Sequence, residues 1–335
     1  MAAIALSTVR KPEWVLSYNG INVTADVSAM VLSIGYTDYL SELSGELEIV
    51  VEDHTQTWQS SWYPALGDEI NLGIGYRGEA LLPCGDFQID QLELSGPPDT
   101  FTMRCLAAFI TQAMRTRNSV GYENQSLLGI VQTIAGKYGL SVVSAPAIVD
   151  ISFTRITQRF ETDLAFLKRL ALDYGYDFTI RGSTLVFYSQ TALAAVPPIQ
   201  TVTRADLIGF EFSNRTYSTY PSAILSYQDQ LTKSLISQGA AATAPIATGD
   251  ILKLASRVEN GQQAALRAQA ALNLRDMYFT QASLTMPGSV AMASGSTIGM
   301  SGFGDFDGIY LVMVARHRID RGHGYITKVE AISVF

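Results

Sequence analysis

The chain has 335 residues, of which 47% are hydrophobic and only 16% charged, and its formal net charge is −8. That length exceeds one average domain and suits two or three. A charged fraction below the ~25% usual for soluble domains predicts apolar surface buried against other chains, while 23 scattered Lys and Arg disfavour a nucleic-acid groove as the main job. Two cysteines, Cys84 and Cys105, point to a reducing compartment and ordinary buried thiols rather than zinc. No apolar run reaches the ~20 residues that span a bilayer, and the start has no basic region before its short apolar patch, so no secretory signal is expected. The basic run around Met114 reads as a solvated connector.

Residues 13–109 read as all-β. Leu47, Ile49 and Val51 alternate with Glu46, Glu48 and Glu52, so one strand face is buried and the other wet. Ile70, Leu72, Ile74 and Tyr76 repeat the pattern, and Phe87 with Ile89, then Phe101, Met103 and Cys105, continue it. Turn signals at 18–20, at Pro64 with Gly67, at Pro83 with Gly85 and at 96–99 separate the runs. Several short strands at this spacing predict a barrel or a sandwich.

From residue 119 to 190 the character changes. Ser126 is placed to cap a helix carrying Leu127, Val131, Ile134 and Tyr138, closed by Gly139. Residues 158–175 read as a short extended lead and then an amphipathic helix. Thr162 fits the N-cap and Asp163 the first turn; Leu164, Leu167, Ala171 and Tyr174 recur at helical spacing, and Gly175 supplies a left-handed stop. A hairpin over 176–188, with Gly182 in its turn, completes a compact α/β insert.

Residues 191–200, with Pro197 and Pro198, read as a linker. Strands resume at 207–212 and 222–228, the small residues of 238–249 predict a mobile loop, and 258–277, rich in Ala, Gln and Leu, is predicted to be helical. Strand patterns return from 280 to 335. The run 309–315 is apolar on both faces, so both sides of that strand should be covered. A turn over 317–324 precedes a final strand, 325–334.

Few residues carry a signature of chemistry. Gly73, Gly75 and Gly78 match a GxGxxG pattern, but Pro83 follows and no helix opens, so they read as strand glycines. His54, His317 and His323 form no metal-binding spacing; His317 and His323 flank a turn and read as a polar cross-strand pair. Gly302, Asp305, Asp307 and Gly308 read as a tight turn, too poor in acids for a calcium loop. Glu161, Asp163, Asp173 and Asp177 are the densest acidic cluster, and helix capping and solvation account for them. No nucleophile elbow or phosphate loop is present. The sequence therefore predicts no catalytic residue, cofactor or metal.

The wording of residues 158–175 is more specific than its periodicity. Gln158, Glu161, Thr162, Asp163, Leu164, Phe166, Leu167, Arg169, Leu170, Ala171, Tyr174 and Gly175 stand in a pattern that resembles the phage late control gene D family, the baseplate hubs of contractile tails and R-type pyocins. Three more segments resemble the same family in the same order. These are residues 85–99, ending in Pro97, Pro98 and Asp99 and leading into FTMRCLAA; the capped 126–140 helix leading into the Gln158 motif and LVFY; and the stretch from Pro287 through Gly302, Gly308 and His317 to GYITKVEA. Together they cover roughly residues 15–335, and the likeness extends more distantly to the hub part of type VI spike proteins.

The resemblance implies a mainly β chain with an α+β insert. Two tube-like antiparallel β-barrel domains (1–118 and 191–335, the second with an inserted helix at about 258–277) flank a small α/β domain (119–190). Three copies would form a pseudo-hexameric trimeric ring. It implies a non-enzymatic structural hub that adapts a hexameric tail tube to a trimeric central spike and nucleates the tube. The implied partners are a homotrimer, the spike and tube proteins, and further the tape measure and baseplate wedge proteins, with no membrane and no specific nucleic acid. The implied location is a virion or phage-tail-like particle assembled in the bacterial cytoplasm. No spike or lysozyme-like segment is read in the chain, so a separate spike protein is expected. Two alternatives from the residues are a cell-wall hydrolase using Glu161 and a carbohydrate-binding module using Trp58 with Trp62.

Overall fold

The computed structural model describes residues 10–41, 45–107, 116–145, 149–215, 217, 219–228, 233–242 and 249–334. The expected absence of a leader, half of the basic run at Met114 and half of the predicted 238–249 loop lie outside these residues.

The first block comprises β1 (Pro12–Tyr18), β2 (Ile21–Asn22), α1 (Thr24–Val27), β3 (Val31–Tyr39), β4 (Glu46–Glu52), β5 (Glu69–Tyr76), β6 (Leu82–Ser95) and β7 (Thr100–Ala107). The middle block comprises β8 (Arg117–Ser126), α2 (Leu127–Lys137), β9 (Ser141–Ala145), β10 (Ser152–Thr162), α3 (Asp163–Asp173), β11 (Tyr176–Arg181), β12 (Thr184–Ser189) and α4 (Gln190–Ala194). The last block comprises β13 (Thr201–Val202), β14 (Gly209–Asn214), β15 (Ser222–Gln228), β16 (Leu235–Ala241), β17 (Ile251–Ala255), α5 (Gly261–Asp276), β18 (Thr280–Pro287), β19 (Thr297–Met300), β20 (Gly308–Asp320) and β21 (Gly324–Ser333).

The expected closed barrels are absent among the described residues. Among the described residues, one 13-stranded open sheet runs β14-β18-β21-β20-β3-β4-β7-β6-β5-β1-β2, with β19 and β13 branching from β20. The reason lies in edge pairing. A strand has two hydrogen-bonding edges, and a barrel closes only when its first and last strands spend a free edge on each other. The two edges of β3 are taken by β4 and by β20 of the last block, from Ser33 opposite Asp320 to Tyr39 opposite Val314. The two β blocks therefore merge into one sheet instead of each closing on itself. Without closed barrels among the described residues, the expected six-barrel, pseudo-hexameric ring falls with them.

The alternation read for β4 holds: Leu47, Ile49 and Val51 are buried in the first core with Ile70, Leu72, Ile74, Phe87 and Met103. On β20, Tyr310, Leu311 and Val312 are buried in succession. Tyr310 and Val312 join the core of the last block, whereas Leu311 packs with Leu40, Tyr188 and Ile332 at the junction with the insert. From Tyr310 to Val312 both faces of the strand are covered within the chain, whereas Ile309 at its start is exposed.

The insert has its own core. α2 and α3 bury Leu127, Ile130, Val131, Ile134, Phe166, Leu167, Leu170 and Ala171 against β11 and β12. Two features differ from the sequence reading. Residues 191–194 of the expected linker belong to α4, capped by the Ser189 hydroxyl. Residues 238–241 of the expected loop belong to β16, whose small side chains pack under α5.

Candidate functional site

The residues of the 158–175 motif converge at the start of α3. Thr162, in an extended conformation, caps the helix by accepting a hydrogen bond from Ala165 N at 3.1 Å. Leu167 and Leu170 are buried on the inner helix face, and Gly175 ends the helix at φ +77° with Ala270 of α5 nearby, a conformation suited to glycine.

Asp163 is buried rather than solvated. Its carboxylate accepts from Lys137 Nζ (2.6 Å), Tyr138 Oη (2.6 Å), Gln158 Nε2 (2.8 Å) and Asn118 Nδ2 (3.2 Å). Burial alone would push its pKa up, but these four donors outweigh it and hold the carboxyl at about 2. One carboxylate thereby fastens β8, α2, β10 and α3 together. Asp177 is also buried, against Lys168 of α3 at 2.7 Å; burial raises its pKa and the lysine opposes that. Capping and solvation thus explain neither of these acids fully.

Gln158 also donates to Glu161 O at 2.9 Å, bridging a β-bulge in which β10 slips register between Gln158 and Glu161. Glu161 pairs with Arg169, eight positions on, at 2.6 Å. Within the bulge, Phe160 has φ +49°, a conformation that costs a bulky residue about 1–3 kcal/mol.

The other motif residues lie elsewhere. Pro97 and Pro98 sit in the β6–β7 turn, each after a cis peptide bond, and Asp99 O accepts from Asp53 N at 2.9 Å. Gly302 (φ +89°) and Gly308 (φ +150°) bracket the turn before β20, with Asp307 accepting from Phe303 N at 2.6 Å. His317 is buried in β20. Its Nε2 lies 2.9 Å from Met292 O, which can only accept, so Nε2 carries the proton; Nδ1 accepts from Tyr325 Oη at 2.8 Å. Burial lowers the His317 pKa to about 4, against the opposing pull of the Met292 carbonyl and of Asp38. The expected His317–His323 pair does not form, because His323 is exposed on the turn and hydrogen-bonds Asp320.

No family model matches the chain. It is 29% identical over 207 residues to a probable baseplate hub protein of Escherichia phage 186, a match covering 61% of this chain and 52% of that protein. It is 28% identical over 199 residues to the probable baseplate hub protein of Escherichia phage P2, covering 58% and 51%. The chain is a homologue of phage baseplate hub proteins. It spans about half the length of these curated relatives. In fold it is similar to the 43 kDa tail protein of prophage MuSo2 from Shewanella oneidensis, with a TM-score of 0.72 at 16% identity, covering 96% of this chain and 98% of that one.

The geometry of this hub homologue disfavours the two alternatives. Arg169 holds the Glu161 carboxyl below the usual carboxylate range, whereas a hydrolase's general acid needs a raised pKa. Trp58 is buried and Trp62 packs edge-on against it at 5.7 Å, so the two rings form no open sugar platform. Gly73 and Gly75 lie in β5 opposite Val15 and Glu13, and a Cβ on Gly75 would come within 2.9 Å of Leu81; strand packing, not a dinucleotide, explains them. Burial pushes up the pKa of both thiols, Cys105 to about 12, so neither is a nucleophile at neutral pH. Among the described residues, no group of three or more His, Cys, Asp or Glu is placed to hold a metal ion, and no helix is long and apolar enough to cross a membrane.

Sequence reasoning missed Lys137, Tyr138 and Asn118 as partners of Asp163, and the Asp38–Arg181 contact. Only the fold brings these together; no local spacing announces them.

Proposed function

We propose that this chain is a structural, non-enzymatic hub in the baseplate of a contractile phage tail or tailocin. In this reading it acts as a homotrimer that joins the hexameric tail tube to a trimeric central spike and nucleates the tube, within a tail particle assembled in the bacterial cytoplasm. The single observation that carries the reading is the similarity over 207 residues to a phage baseplate hub protein. The motif residues then act as structural fasteners, Asp163 above all. The three-part division at 1–118, 119–190 and 191–335 belongs to the same proposal, supported by a hydrophobic cluster drawn almost wholly from the middle part. Tape measure and wedge proteins are further partners within it.

The test is the native mass of the purified chain by light scattering over a concentration series, alone and with the spike and tube proteins of the same particle. A trimer that co-elutes with either protein is the expected result. A monomer that binds neither would overturn the proposal.

A further inference from the structure

The bulge in β10 presents an aromatic side chain that the fold leaves outside. Phe160 is 68% exposed, yet its unfavourable backbone is fixed by several bonds. Phe160 N donates to Ser119 Oγ at 3.1 Å, Gln158 Nε2 to Glu161 O at 2.9 Å and Arg159 N to Glu161 Oε1 at 3.3 Å, while Arg169 anchors Glu161. The Arg117 guanidinium lies over the ring at 5.5 Å. Strain that a network holds in place is a signature of a pre-organised binding element. The knob is an exposed ring with the Arg117 cation over it and the exposed Arg159 next to it in sequence.

A hole of matching chemistry lies in the first block. Leu16, Tyr18, Val27, Trp58 and Trp62 line an apolar cavity of about 290 Å³, with exposed Asp26 at its edge. Asp68, bonded to the Tyr18 hydroxyl, adds a second negative charge. A cavity of ~150 Å³ with apolar walls stays dry and accepts benzene, so this one has room for a phenyl ring. Phe160 does not line the cavity of its own chain.

We infer that Phe160 of one copy seats in the Trp58–Trp62 cavity of a second copy, with Arg117 and Arg159 facing Asp26 and Asp68. A knob and a hole on different parts of one chain make a head-to-tail contact, which closes when the rotation between copies permits. The inference rests on the trimer proposed above and assigns it an anchor.

The experiment uses the full chain in a Trp14→Phe background, so that emission reports Trp58 and Trp62. Light scattering and emission are followed together across a dilution series. The expected result is a trimer whose dissociation is accompanied by a red shift as Trp62 regains solvent. Phe160→Ala should dissociate at about tenfold higher concentration or more and lose the assembly-linked shift, while Phe160→Leu restores part of both. Val23→Phe, which fills the cavity from its own side without adding an indole, should act like Phe160→Ala; circular dichroism confirms that each variant is folded. If the parent is a trimer and Phe160→Ala matches it in mass and emission, the inference fails and the hub reading stands. Weaker assembly of Phe160→Ala with an unchanged emission shift also overturns it, since the ring then seats elsewhere. A parent that is monomeric with and without spike and tube proteins removes the trimer reading and this contact with it.

Discussion

Arg181, at the end of β11, reaches Asp38 on β3, 143 positions earlier, with Nη2 at 3.1 Å from one carboxylate oxygen and 3.3 Å from the other. The same nitrogen donates to Ser294 Oγ at 2.9 Å, and Ser294 N donates to Asp38 at 2.9 Å. One ion pair thus ties the insert's hairpin to both β blocks, beside the buried contact of Tyr188 Oη with Leu40 O at 2.7 Å. Arg181→Ala leaves the buried Asp38 short of its cation. Because Arg181 is itself half exposed, the expected loss is modest, about 1–2 kcal/mol. Hydrogen exchange should quicken in β11 and β12 more than in β4 or β7. Uniform exchange across these strands would contradict the tie.

Asp163 makes acid stability measurable. Its folded pKa, about 2, lies below the ordinary carboxylate value of 3.8. The stabilisation is therefore fully present above about pH 4 and is lost as pH falls toward 2. Urea unfolding from pH 5 to pH 2 should show this loss in the parent, and Asp163→Asn should start about 2 kcal/mol less stable and lose less with acid. Equal acid sensitivity in both proteins would assign the effect to other groups.

His317 acts over a higher window. Its folded pKa of about 4 lies below the ordinary 6.5, so the unfolded chain binds the extra proton between those values. The contribution is complete above about pH 6.5 and disappears as pH falls to about 4, a change on the order of 3 kcal/mol. In His317→Gln the slope of stability against pH in this window should flatten. A slope unchanged by the substitution would show that the histidine is not the group titrating.

Lys168 is the cation of a largely buried pair, and removing one partner of such a pair costs more than removing both. Lys168→Met should destabilise the chain by about 3 kcal/mol, and adding Asp177→Asn should restore at least half of that. The readout is a double-mutant cycle from chemical denaturation at pH 7. Strictly additive losses would mean that the two side chains do not interact in solution.

Much of the local structure was written in the sequence. The Ser126 and Thr162 hydroxyls cap the helices they were read to cap, accepting from Gly129 N and Ala165 N, because capping depends on residues only three positions apart. The β4 alternation and the Gly182 turn were legible for the same reason: pleat and turn geometry are local. The resemblance carried by residues 158–175 pointed to the hub relatives. The tertiary structure alone decided how the blocks join. Nothing in the alternation of β3 says whether its second edge pairs within its own block or with β20, since either partner satisfies the same buried face. That choice made one open sheet where closed barrels were expected. Nor did spacing reveal that Asp163 would be buried under Lys137 and Tyr138, because a carboxylate at a helix start is equally at home in water. Hydrogen-bond partners distant in sequence become neighbours only once the chain is folded, and those partners fix the motif's role.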